Sequence, residues 1–188
     1  MIQITSDQIE RVNLILSGIP GGAQKAFSSV IRRANSTVKA ETVRQITGTY
    51  AISAQRVRAG GNIRAQVQKA DGGVVGTVTF AGYKLPLYRF NVTPTLPIQR
   101  AEVKAAVMRG NGQTPFAHAF IARMKSGHTG MFERETGRSF PVTEFMAQST
   151  AQMAGNEEVL EQVSEKAQET VNKRIEHEIT RILNGYGG

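Results

Sequence analysis

The chain contains no cysteine and no tryptophan. Without cysteine there is no disulfide framework, no thiolate zinc site and no thiol nucleophile, a usage that fits a reducing cytoplasm. No stretch approaches the roughly 18 consecutive apolar residues of a membrane span, so no membrane partner is expected. The opening segment, MIQITSDQIERVN, lacks the basic start and apolar run of a signal peptide. The three histidines, His118, His128 and His177, fall in no ligand spacing such as HExxH. Gly60-Gly61 and Gly72-Gly73 lack the Lys-Ser/Thr and the helix of a phosphate loop. Helix-turn-helix, zinc-finger and RNP patterns are missing. Internal repeats and low-complexity tracts are missing too. No metal, no cofactor and no catalytic site is expected.

What is present is 188 residues, enough for one domain with a sizeable core, and a net charge of +8. The charge is uneven. Met1 to Ala70 carries ten Lys/Arg against three Asp/Glu, whereas Glu157 to Gly188 carries four against seven. A basic front suits a polyanion, and a basic front with an acidic tail favours head-to-tail contacts between copies. The bland alternative is scattered solvated faces. Arg32 and Arg33 on the second helix, with Arg56, Arg58 and Arg64 after it, form the candidate DNA-facing patch. Aromatics do not interleave with them, so contact with DNA would be electrostatic and sequence-neutral.

Hydrophobic spacing predicts long helices at both ends. Thr5, Ser6 and Asp7 are candidate caps for a first helix with Ile9, Val12, Ile15 or Leu16, and Ile19 on one side. Pro20 can open a second, running to about Ile46 with a stop at Gly48. Ser53 can cap a short helix ended by Gly60-Gly61. Ile63–Lys69 and Val74–Ala81, joined by Asp71-Gly72-Gly73, read as a hairpin. Lys84–Phe90 reads as an edge strand because of Pro86, residues 91–97 as a loop, and Ile98–Met108 as a strand. In that strand Arg100, Glu102 and Lys104 take the face opposite the alternating Ala and Val. A helix from Thr143 or Glu144 to Met153 precedes the last one, Glu157–Leu183. The last helix has four Glu near its start, with Arg174 and Arg181 toward its end, as the macrodipole prefers. The expected fold class is α+β: residues 1–48 helical, 49–142 a β-rich body with a mostly antiparallel sheet, 143–188 helical, in one domain. The long helices are expected on one face of that sheet.

The densest segment is Phe116–Phe145, FAHAFIARMKSGHTGMFERETGRSFPVTEF. Two Gly-containing turns separate three short apolar runs, which predicts short antiparallel strands. Its anchors are Phe116, Phe120, Met131 or Phe132, Phe140 and Phe145. His118 reads as a satisfied strand position. His128, in its Gly-flanked turn, can bond backbone groups or a partner, with no fixed carboxylate evident in the sequence. Glu133 and Glu135 flank Arg134, and with Arg138 they read as a surface ion-pair cluster. His177, between Glu176 and Glu178, reads as a solvated face. Lys125, His128, Arg134, Arg138 and Glu144 are the candidate contacts to other subunits or partners.

The run FAHAFIARM, then Gly127-His128-x-Gly130, Phe132-x-Arg134, Arg138, Pro141-Val142, Glu144 and the long last helix resemble the minor tail protein Z and tail-completion families of long-tailed bacteriophages. The resemblance spans roughly Leu85 to the C-terminus and is loose before that. It is a pattern of packing and turns. It implies a virion structural protein of a phage or prophage, found in the tail and, during assembly, in the host cytoplasm. Such a protein would act near the head-proximal end of the tail, finishing it and joining it to the head. Partners would be other tail or neck proteins and copies of itself, with a hexameric ring as the default. The contact regions proposed are the C-terminal helix, the Lys84–Phe90 strand and the Asn91–Leu96 loop. The rival expectation is a sequence-neutral, basic nucleic-acid-binding module.

Overall fold

The computed structural model describes residues 6–70, 73–98 and 101–185. In order these form α1 (Ser6–Ile15), α2 (Gly22–Thr49), α3 (Ala54–Gly60), β1 (Asn62–Ala70), β2 (Gly73–Ala81), β3 (Leu85–Pro86), β4 (Asn91–Thr93) and β5 (Val103–Ala106). Then come β6 (Thr114–Phe116), β7 (Ala119–Arg123), β8 (Thr129–Arg134), β9 (Val142–Glu144), β10 (Met146–Ala147), α4 (Thr150–Ala154) and α5 (Glu157–Leu183). The fold is α+β, with long helices at both ends and antiparallel strands in small sheets. Where the sequence suggested one domain, the chain divides into two compact units: residues 1–42, 63–79 and 160–188, and residues 43–62 and 80–159.

Unit 1 is built on helical periodicity. Phe27, Val30 and Ala34 of α2 and Val171, Ile175, Ile179 and Ile182 of α5 bury one continuous core with Val12 and Leu16 of the α1 region. Burying each larger side chain is worth about 1.5–3 kcal/mol. Thus the apolar stripes of the long helices meet one another rather than a shared sheet face. The β1–β2 hairpin joins this core through Val74. At Gly76 the strand lies so close to α2 that a Cβ would overlap Ile31 and stand 2.7 Å from Asn35 Oδ1. Through that gap Asn35, itself buried, donates its Nδ2–H to the Gln66 carbonyl at 2.9 Å.

One carboxylate is buried in this unit. Glu178 is 1% exposed and sits between Arg174 Nη2, which donates at 3.0 Å, and Arg181 Nε, which donates at 2.7 Å. Burial pushes its carboxyl up, but hydrogen bonds from Arg181 and Ser29 and the charges of Arg181 and Arg174 outweigh burial and hold it below the usual carboxylate range. Glu178 is therefore not part of a solvated face, while its neighbour His177 is exposed.

Unit 2 is assembled from short pieces. The expected single sheet is replaced there by three: β3 with β10, β4-β5-β6, and β7-β8-β9. Ser53 caps α3 by accepting from Arg56 N–H. Thr150 Oγ1 donates to the buried Val57 carbonyl at 3.2 Å, tying α4 to α3.

Several boundaries differ from expectation. Lys84–Phe90 is not an edge strand. Only Leu85–Pro86 pairs, with Met146 and Ala147, and Leu87–Arg89 forms a 3-10 turn after Pro86, burying both Leu85 and Leu87. Asn91–Thr93 is a strand rather than a loop, because Val92 is buried and pairs opposite Ala105. Of Ile98–Met108 only Val103–Ala106 is strand; Ala105 and Ala106 are both buried, which breaks the alternation. The first half of the expected Thr143–Met153 helix is instead strand, in β9 and β10. The helix waits for the Ser149–Gln152 capping box and covers only Thr150–Ala154. α2 begins at Gly22, two residues after Pro20, following a turn at Gly21 with φ of 69°. Ser6 and Asp7 lie within α1 rather than ahead of it. Thr5, the Asp71-Gly72 turn and Arg100 fall outside the described residues.

Prediction: Glu178→Gln destabilises the protein by about 1.5–3 kcal/mol at neutral pH, the scale of hydrogen bonds to charged groups. A carboxyl held below its unfolded value takes its proton later than the unfolded chain does. Its stabilisation is therefore full above about pH 4.3, the ordinary glutamate value, and fades as pH falls through the lowered one. Urea unfolding of both proteins from pH 7 to pH 3 should show the gap between them narrowing only at the acid end.

Candidate functional site

In β8 the side chains at Gly130, Phe132 and Arg134 share one face of the β7-β8-β9 sheet, because strand residues alternate. Register brings Phe120 of β7 opposite Phe132, and Glu144 of β9 opposite Phe132 on the other side. Before β8 the chain turns at Gly127, with φ of 85°, and Met124 N–H bonds back to the His128 carbonyl at 2.7 Å. This turn delivers His128 to the same face. Its Nε2 lies 2.7 Å from Glu144 Oε1. Gly130 permits the contact: a Cβ there would collide with the Glu144 carboxylate and stand 2.8 Å from the Phe132 ring.

The result is a continuous row. Glu144 holds His128, whose ring meets Phe132 edge-on at 6.2 Å between centroids. Phe132 lies 6.2 Å from Phe120, and the Arg134 guanidinium carbon stands 4.6 Å above the Phe120 ring. A cation at that distance from a ring face is attracted by the ring quadrupole. Met131 and Ile121 are buried on the other face. Phe132, at the centre of the row, is itself buried, so what reaches the surface is the imidazole and carboxylate at one end and the guanidinium at the other. Ser126, in the same turn, accepts the His128 main-chain N–H at 3.5 Å. Such a surface can recognise a partner bearing both donors and acceptors.

Of the five candidate contact residues, His128, Arg134 and Glu144 come together in this row. Lys125 is exposed in the turn, and Arg138 is exposed beyond β8, its N–H bonded to Thr136 Oγ1 at 3.2 Å. The expected ion-pair cluster does not form among the described residues. Alternation sets Glu133 and Glu135 on the face opposite Arg134, where Glu135 instead accepts from Thr143 Oγ1. Phe140 is not an anchor, being 73% exposed. His118 lies in the exposed turn between β6 and β7 rather than in a strand.

The five basic candidates divide between the units: Arg32, Arg33 and Arg64 in unit 1, Arg56 and Arg58 in unit 2. All five are exposed, and Arg56 Nη1 donates to the Arg89 carbonyl at 2.6 Å. Two contacts escaped the sequence reading. The His128–Glu144 pair spans 16 residues and depends on register. The buried Glu178 had a local signal, arginines four residues before and three residues after it.

Among the described residues no group of three or more His, Cys, Asp or Glu could hold a metal ion, and no helix is long and apolar enough to cross a membrane. No protein-family model, curated protein or solved structure matches the chain. The likeness to tail-completion proteins therefore rests on the quoted residues alone.

Prediction: Gly130→Ala costs about 1–3 kcal/mol, because it drives a methyl into Glu144 and Phe132. His128→Ala costs less than about 1 kcal/mol, as expected for an exposed pair. Chemical denaturation ranks the two, and the His128 imidazole resonances in Gly130→Ala should report loss of the Glu144 contact.

Proposed function

We propose that this protein is a virion structural component of a long-tailed phage or prophage. It is read as a minor tail or tail-completion protein that assembles as a ring at the head-proximal end of the tail and joins tail to head. The observation that carries this reading is the convergence of the resemblance's own residues. Gly130, Phe132, Arg134 and Glu144, with His128 from the adjoining turn, occupy one sheet face, and the spacing between them is what the turn and the strand register require. Buried Gly130 and Phe132 hold the exposed His128 and Arg134 and the half-buried Glu144 in place, and a fixed polar display of that kind suits contact with a partner. Head-to-tail interfaces that close form rings.

A second reading, a sequence-neutral nucleic-acid-binding module, is favoured by the exposure of Arg32, Arg33 and Arg58.

The deciding measurement is solution mass by light scattering across concentration and salt. The tail reading expects a discrete species near six times the 20.4 kDa chain mass. It also expects Arg134→Glu to shift that species toward smaller forms. A monomer at every concentration, binding DNA with an affinity that falls steeply with salt, would instead establish the second reading.

A further inference from the structure

The β1–β2 hairpin is a two-stranded sheet, so among the described residues β2 has one strand neighbour and its outer edge has none. An unpaired edge presents a row of N–H and C=O groups to any strand that approaches, and proteins usually blunt such edges with brevity, proline or charge. The other edges here are blunted. β3, β4, β6, β7, β9 and β10 are two to five residues long. β3 and β6 contain Pro86 and Pro115, and β1 carries Arg64. β2, Gly73–Ala81, is GVVGTVTFA: nine residues without charge and without proline. Val75, Thr77 and Thr79 on its outer face are exposed, Val75 by 49%.

We propose that the β2 edge pairs with β2 of a second copy of this chain, antiparallel about a two-fold axis at Thr77, to make a four-stranded sheet. The strand is uncharged on both sides of that point. Centred on Thr77, the pairing sets Thr77 against Thr77 and Val75 against Thr79 on the outer face. On the other face it sets Val78 against Gly76 and Phe80 against Val74, a large side chain against a smaller one each time. β-Branched and Thr–Thr neighbours are favourable cross-strand pairs, and no charge faces a like charge across the joint. A two-fold contact uses the same patch on both copies, which a self-complementary strand supplies. The proposal stands independently of the tail reading, since it concerns a different strand and a different symmetry. Because the joint is uncharged, it does not weaken as salt rises.

The test is a charge pair at the axis in the full chain. Thr77→Lys places two like charges opposite each other, and Thr77→Asp does the same with the other sign. Thr77 is exposed, so each variant keeps the wild-type circular dichroism. Each should halve the mass of the wild-type assembly, weakening the pairing by about tenfold or more, roughly 1.4 kcal/mol or above. An equimolar mixture of the two should recover the wild-type mass as a mixed pair. A mass unchanged by Thr77→Lys, a wild-type chain monomeric at all concentrations, or a mixture that fails to recover would each overturn the proposal. A ring of the proposed tail type that survives Thr77→Lys at full mass would overturn this pairing while leaving the tail reading intact.

Discussion

At Gly130 the β8 backbone passes so close to the Glu144 carboxylate and the Phe132 ring that a Cβ has no room. That vacancy fixes much of what surrounds it. The carboxylate can lie over the strand and hold the His128 imidazole. The imidazole in turn rests edge-on against Phe132, and the row continues through Phe120 to Arg134. The same device operates at Gly76 in unit 1, where the missing side chain admits Asn35 to a β1 carbonyl and sets α2 against the hairpin. In both places a glycine inside a strand costs some strand propensity and allows a polar contact in exchange.

The helices were legible in the sequence because their signal is local. The α2 and α5 stripes repeat every three or four residues over about six turns, and α5 begins and ends at the residues that the Glu-rich start and the closing glycine indicate. Between residues 84 and 149 the signal fails. Elements of two to six residues are too short for a period, and partners distant in sequence decide their state. Leu87 shows why: its N–H bonds to the Phe145 carbonyl at 2.8 Å, a partner that no window around Leu87 contains. The site was legible in its residues but not in its contacts. His128, Arg134 and Glu144 stood out by type and turn context, yet Arg134 was assigned to carboxylates that alternation places on the other face.

Glu178 illustrates a further limit. By position it belongs to a run of alternating acids and bases that reads as solvated. Its burial follows from the rotation of α5 against α2, which the apolar stripe sets and which brings Ser29 within hydrogen-bonding reach of the carboxylate. A buried carboxylate without partners would be costly, and two arginines on the same helix are what make the position tolerable. Such a group adds less to net stability than a well-packed apolar residue would, but it penalises any rotation of α5 that would strip it of those partners.

The two kinds of self-contact considered for this chain differ in physics, and the difference has structural consequences. The proposed ring contact would be heterologous, one patch of each copy meeting a different patch of the next. Pairing along β2 would be isologous, short-ranged and made of backbone hydrogen bonds between uncharged strands. A chain using only the first closes into a single ring. A chain using only the second stops at a dimer. Using both, each ring presents as many open edges as it has subunits, and two-fold pairing joins two rings face to face. The proposed ring and the proposed strand joint are thus separable by mass: about six chain masses for the ring alone, about two for the strand joint alone, and about twelve for both together, with a chain of 20.4 kDa.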